Sequence, residues 1–360
     1  MAEALVPLWC ASGGLIDPRS EADEADVRAF VRKCADHGVT RLFPSGGTKM
    51  LVGLSRELDI EVDPYGAFNS HGGLPANYDW SVKYTVARLG SADARAILDR
   101  HRPIYSPSRS EPRMSEIAKS HPEYRTKSRQ GNDTLAPDTG ISLSLAFPEA
   151  KAFEEAKFLR MLESTGGSGI QIEFLLGEVD EHGVNTGGYE SAIANAFEKR
   201  FGKDPKRISN DDPDWIAHRA SYVTEFLRGF RAKLASSHPA ARLSITLIAR
   251  ERDDYLNDLQ DWPTWVDNDL LDELYLWFRT TSDLREVERL TSYAATRVNG
   301  RVPLIAELSC YHPGSFQDSQ VLLEAARRAK GSGADAVGVY RGHAVDQLDL
   351  WHVLSRIAAL

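Results

Sequence analysis

The stretch GSGIQIEFLLGE, Gly167 to Glu178, decides the fold. Read with a period of two, Ile170, Ile172 and Phe174 share one face of a strand, and Gly169, Gln171 and Glu173 share the other. The apolar face packs against whatever covers the sheet, so Glu173 points the opposite way. In solvent that carboxylate is ordinary. In an enclosed lumen it is a working group.

Seven further apolar runs share this character. They are ALVPLWC (4–10), VTRLFPS (39–45), LDIEVDPYGAF (58–68), RLSITLIAR (242–250), DELYLWFR (272–279), RVPLIAELS (301–309) and ADAVGVYRG (334–342). Helical patterns alternate with them: EADVRAFVRKCADHG (24–38), AFPEAKAFEEAKFLRMLES (146–164), DPDWIAHRASYVTEFLRGFRAKLASS (212–237), DSQVLLEAARRAKGSG (318–333) and DQLDLWHVLSRIAAL (346–360). Asp212 is placed to cap its helix, with Pro213 just inside.

Strands that alternate with helices run parallel, because each return needs a crossover. A count of eight predicts an α/β chain closed into a (β/α)8 TIM barrel, one catalytic barrel over residues 1–360. Neither a G-x-G-x-x-G turn nor a Walker-type loop is present, and PSGGTKM (44–50) reads as a plain turn. Two long insertions break the rhythm, about 67–147 after strand three and 175–212 after strand four. Both leave from strand C-termini, the face where barrels place their chemistry, so they read as substrate cover. Asn69, His71, Trp80, Arg102 and Arg113 are the candidate contacts in the first. Subunit contact is the plainer use of such insertions, and would make the protein a homo-oligomer.

Composition narrows the partners. Hydrophobic residues at 42% and charged residues at 26% suit a globular chain with a sizeable core. A formal net charge of −9 argues against a non-specific grip on nucleic acid and against docking on an anionic membrane. Cys10, Cys34 and Cys310 form an odd set without zinc spacing and read as reduced, packed thiols. No basic leader with a long apolar run opens the chain, so the expected location is cytoplasmic; a removed signal peptide replaced by a start methionine would look the same.

Strand parity assembles a site. On strand seven, Val302, Leu304, Ala306 and Leu308 take the helix side, leaving Ile305 and Glu307 inward. Glu173 and Glu307 then face each other at the C-terminal mouth. Trp9, Arg250, Tyr275, Trp277 and Tyr340 also point inward, while Tyr311, His312 and His343 follow on the rim. Two carboxyls in one cavity, one protonated and one ionised, are what glycosidic cleavage needs, and aromatic rings suit the C–H faces of sugars. The blander reading is a buried pair in which each glutamate is held by an arginine, Arg250 or Arg279. Histidines without H-x-H or H-E-x-x-H spacing do not suggest a metal, and the two-carboxylate chemistry requires no cofactor.

Two segments carry a resemblance: GGYESAIANAFEKRFGKDPKRISNDDPDWIAHRASYVTEFLRGFRAKL (187–234) and QDWPTWVDNDLLDELYLW (260–277). Together with GIQIEF, they resemble bacterial glycoside hydrolase-like barrels related to glycoside hydrolase family 10. The likeness covers about residues 140–310 and implies a carbohydrate-active barrel. It also implies kinship to the retaining-glycosidase clan, with Glu173 as acid/base, Glu307 as nucleophile and Tyr275 as hydrogen-bond partner of Glu307. Ile172 stands where that clan carries Asn, so the contact to a sugar 2-hydroxyl must come from elsewhere. The resulting expectation is a retaining glycoside hydrolase acting on an oligosaccharide or glycoside. The alternatives are a carbohydrate-binding barrel without catalysis, and a metal-dependent lyase or isomerase acting on a sugar. Dependence on both glutamates separates the first alternative, and sensitivity to a chelator the second.

Overall fold

The computed structural model describes residues 5–11, 24–45, 49–72, 114–136, 140–175, 177–180, 183–250, 254–312 and 314–360. Eight parallel strands close on themselves: β1 (Pro7–Ala11), β2 (Arg41–Ser45), β3 (Glu61–Val62 and Tyr65–Ala67), β4 (Gly169–Phe174), β5 (Arg242–Ile248), β6 (Glu273–Phe278), β7 (Leu304–Ser309) and β8 (Ala336–Tyr340). β8 pairs with β1 and β1 with β2, which seals the (β/α)8 TIM barrel. β3 comes in two pieces because Pro64 has no N–H for the ladder. The chain still keeps its place there, since Asp63 donates to the Leu42 carbonyl and the Pro64 carbonyl accepts from Gln171.

The covering helices are α1 (Glu24–Asp36), α2 (Lys49–Arg56), α3 (Pro148–Thr165), α4 (Pro213–Ser237), α5 (Trp262–Asp267), α6 (Leu284–Val298), α7 (Ser319–Gly331) and α8 (Trp351–Ile357). Asp212 caps α4 as its sequence suggests, accepting from the N–H groups of Asp214 and Trp215 at 2.9 and 3.2 Å. The expected single helix over 346–360 is two, Gly342–Gln347 and α8. Asp349, between them, adopts φ 51°, a left-handed conformation that the short Asp side chain tolerates and that ends a helix. Among the described residues no helix is long and apolar enough to cross a membrane.

Parity holds strand by strand. Ile170, Ile172, Phe174, Leu274, Leu276, Phe278, Leu304, Ala306 and Leu308 join the core between sheet and helices. Trp9, Phe43, Tyr65, Ile248, Tyr275, Trp277, Ile305, Ala336 and Tyr340 fill the lumen. Gly338 makes room there: a Cβ at that position would lie 2.7 Å from the Trp9 ring. The three cysteines are free and buried; burial lifts the Cys10 and Cys310 thiols to about 12, so they act as packing groups.

Charges close the floor. Arg41 reaches both oxygens of Glu273 at 2.8 and 2.7 Å, and Arg242 reaches Glu61 and Asp63 at 2.8 and 2.9 Å. These residues begin strands β2, β3, β5 and β6, so the cluster ties strand starts together opposite the mouth. Between β3 and α3 the chain makes its long excursion, whose described part includes a short helix (Glu116–Ser120) and an antiparallel pairing of Leu135–Ala136 with Gly140–Ile141. Trp80, Arg102 and Arg113 lie outside the described residues.

Candidate active site

β4 delivers Glu173 opposite Ala67 on β3 and Thr246 on β5, while β7 delivers Glu307 opposite Trp277 on β6 and Gly338 on β8. Both carboxyls enter the lumen, as the alternation in their strands requires. Glu173 keeps 7% of its surface exposed and Glu307 keeps none. Thr246 donates its hydroxyl to Oε2 of Glu307 at 3.0 Å, and Oε1 has no hydrogen-bond partner among the described residues. Burial pushes the Glu307 carboxyl well above the usual range, and the charge of Glu173 pushes it the same way; the Thr246 bond opposes them. The two groups therefore feel each other across the lumen. Glu307 makes no ion pair among the described residues, so for this residue the arginine-held arrangement does not apply.

The inward aromatics divide by depth. Trp9 is core filling: it stacks on Phe43 at 4.8 Å, meets Tyr275 edge-on and donates its indole N–H to Gln171 at 2.7 Å. Tyr275 does not serve Glu307. Its hydroxyl donates to Glu273 at 2.9 Å and accepts from Arg41 at 3.2 Å, because its ring reaches toward the charged floor. The rim is built from Trp277, Tyr340, Tyr311 and His312, with ring centroids 4.9–6.0 Å apart along the chain of contacts. The Trp277 indole N–H, on the residue paired with Glu307 in the sheet, is buried without a hydrogen-bond partner among the described residues.

Two arginines flank this rim. Arg279 lies 5.1 Å over Trp277, and Arg341 lies 5.2 and 5.8 Å from the rings of Tyr311 and Tyr340. His312 is held neutral, its pKa driven well below the usual value by burial and then by Arg279 and Arg341; its Nδ1 sits 3.0 Å from the Ser309 hydroxyl. Thr246 and Arg341 were not among the residues singled out from sequence. The parity of β5 would have found Thr246. Arg341 lies one residue past β8, where parity no longer applies.

Three expected contacts are engaged in bonds of their own rather than with the two glutamates, although Asn69 also lines a cavity beside the barrel mouth. Arg250 turns to the Asp254 carbonyl at 3.3 Å and to Asp258 at 3.7 Å, away from the two glutamates. Asn69 clamps the returning excursion, donating to the Leu143 carbonyl at 2.7 Å and accepting from the Leu143 N–H at 2.8 Å. His71, 3% exposed, sits between Ser115 and Glu154 at 2.9 and 3.0 Å. These two residues fasten the insertion to the barrel. Among the described residues no group of three or more His, Cys, Asp or Glu side chains is disposed to hold a metal ion.

The family model described as glycosyl hydrolase-like 10 matches residues 101–311. No curated protein matches the sequence. Among solved structures, the chain is similar to the PgaB (BpsB) glycoside hydrolase domain from Bordetella bronchiseptica, at 11% identity over 99% of both chains with a TM-score of 0.64. It is also similar to the GH36 alpha-galactosidase AgaA from Geobacillus stearothermophilus, at 10% identity over 99% of this chain and 42% of that one, TM-score 0.53. The alpha-galactosidase from Lactobacillus brevis shares 12% identity over 99% of this chain and 40% of its own, TM-score 0.52. At these identities the likeness is one of fold.

Proposed function

Because the chain belongs to the glycosyl hydrolase-like 10 family, we propose that it hydrolyses a glycosidic bond in an oligosaccharide or glycoside, with Glu173 and Glu307 as a two-carboxylate pair. The observation that supports this reading is that β4 and β7 bring two buried glutamates to one lumen beside an aromatic rim. Such a pair shares a proton: one carboxyl stays neutral to protonate the leaving oxygen, and the other stays charged to face the oxocarbenium-like carbon. In this reading residues 1–360 work as one catalytic barrel, Tyr311 is the rim ring open to the sugar, and Trp277 and Tyr340 pack beneath it.

The difference in burial sets the polarity we favour: Glu307, the more buried group, is assigned as general acid, and Glu173, the more exposed, as the carboxylate at the sugar carbon. This reverses the roles implied by the clan resemblance, whose support in Tyr275 is gone. A retaining course would need carboxyls about 5–5.5 Å apart in the loaded site, and an inverting one about 6.5–9.5 Å. Hydrolysis of 4-nitrophenyl glycosides and reduced oligosaccharides, followed by product analysis, tests the reading. Activity should fall roughly 10²–10⁴-fold in Glu307→Ala on substrates with poor leaving groups, and far less with nitrophenol. Sugar binding by a wild type that turns over no substrate above the uncatalysed rate would leave a sugar-binding barrel without catalysis.

A further inference from the structure

A cleft enclosing about 810 Å³ of empty space, open solvent included, lies beside the mouth. Neither Glu173 nor Glu307 lines it. It forms where the exits of β3, β4 and β5 meet α4 and the returning excursion. Its floor is apolar: Phe68 and Phe174, rings 4.5 Å apart, belong to the helix-side core. Leu175 lines the cavity and also packs against the lumen cluster, so the cavity adjoins the candidate active site.

The polar wall comes from the GGYE segment, on which the family resemblance partly rests. Glu190 is 6% exposed; its Oε2 accepts from the Lys127 N–H at 3.1 Å, the Ser144 hydroxyl also bonds the carboxylate, and Oε1 is buried with no close partner of its own among the described residues. Unsatisfied buried oxygens are uncommon, and this one belongs to a carboxyl that stands in the cavity wall. Arg219 is the only basic residue among the described lining, against the acidic Glu178, Glu190 and Asp258. Its guanidinium is already committed to backbone carbonyls: Asn185 at 2.6 Å, Gly187 at 2.9 Å, Asn210 at 3.3 Å and Trp215 at 3.4 Å. No fork is left for a carboxylate or phosphate. Gly188, at φ 95°, lets the loop wrap this arginine, since a Cβ there would fall 2.6 Å from its Cδ. The wall is built and rigid.

We propose that this cavity binds an uncharged, hydroxyl-rich ring, one sugar residue, with hydroxyls on Glu190 and Asp258 and a C–H face on the apolar floor. Resting on the glycosidase reading above, that residue belongs to the same chain as the bond facing Glu173 and Glu307. Burial holds the Glu190 carboxyl above the usual range, against the bonds from Ser144, its own N–H and the Lys127 N–H.

Saturation-transfer NMR with glucose, galactose and N-acetylglucosamine, against glucuronate and glucosamine, tests the binding directly. At least one neutral sugar should bind wild type and the Glu173→Gln/Glu307→Gln double variant alike. Binding should weaken about tenfold or more in Glu190→Ala and in Val223→Phe, which fills the cavity. Thermal unfolding identifies which variants are folded. Three results would overturn the proposal: no neutral sugar bound, a preference for glucuronate or glucosamine, or unchanged affinity in either folded cavity variant. Failure of hydrolysis alone would leave this binding result standing. Loss of sugar binding only in the Glu173→Gln/Glu307→Gln protein would place the sugar at the mouth and also overturn it.

Discussion

Replacing Arg41 with Met removes the cation at the centre of the barrel floor. Its side chain is 7% exposed and that of Glu273 8%, so the pair is out of water. Arg41 contacts Glu273 at 2.8 and 2.7 Å, Glu61 at 2.7 Å and Asp63 at 3.7 Å. Without it, Glu61 and Asp63 keep Arg242 at 2.8 and 2.9 Å, but the nearest remaining cation to Glu273 is Arg242 at 3.8 Å. One buried carboxylate thus loses its main partner, which costs about 3–5 kcal/mol. An unfolding entropy of about 2.1 cal/mol/K per residue gives about 0.76 kcal/mol/K for 360 residues, so Tm should fall by roughly 4–7 °C. Calorimetry at neutral pH reads this directly. The Arg41→Met/Glu273→Leu protein should regain more than half of the loss, because it buries no uncompensated charge. A single-variant loss under about 1 kcal/mol, or a double variant no more stable than the single, would refute the reasoning.

Glu307→Gln should stabilise the protein increasingly as pH rises. The folded carboxyl lies above its unfolded value of about 4.3, so the native state holds the extra proton and wild-type stability falls with pH by about 1.4 kcal/mol per unit between those two values. Denaturation curves should coincide near about pH 4 and then diverge; a constant gap at all pH values would count against the shift. Asn69→Ala removes both bonds to Leu143 and forces Ala to φ 50°, a loss of about 2–3 kcal/mol seen as faster hydrogen exchange at the Leu143 N–H. Unchanged exchange there would show that the excursion is held by other contacts. Asp212→Ala, which uncaps α4, should cost about 1 kcal/mol in the same calorimetry.

The barrel was legible because period-two alternation survives wherever a strand is buried on both faces by different partners. All eight strands follow from that pattern, and with them the lumen positions of Glu173 and Glu307. Depth was not legible. Parity says that Trp9 and Tyr275 point inward, but not that Trp9 packs on Phe43 or that Tyr275 reaches the floor charges. The floor cluster joins residues far apart in sequence, Arg41 to Glu273 and Arg242 to Asp63, and no local pattern pairs them. Asn69 and His71 have side chains suited to sugar binding, and the same hydrogen-bonding capacity is used to anchor a loop. Arg341 lies past the end of its strand, where no periodic rule says where a side chain turns.

The central claim is tested most directly by azide rescue of the two alanine variants on a nitrophenyl glycoside that the wild type cleaves, with the anomeric configuration of the product read by NMR. If Glu173 is the anion at the sugar carbon and Glu307 the proton donor, azide restores Glu173→Ala and gives a glycosyl azide of inverted configuration. With Glu307→Ala it gives one of retained configuration, formed on the glycosylated Glu173. The opposite pairing of variant and configuration would assign the roles the other way round. Turnover by Glu173→Ala and Glu307→Ala within about tenfold of wild type, without azide, would contradict the two-carboxylate account altogether.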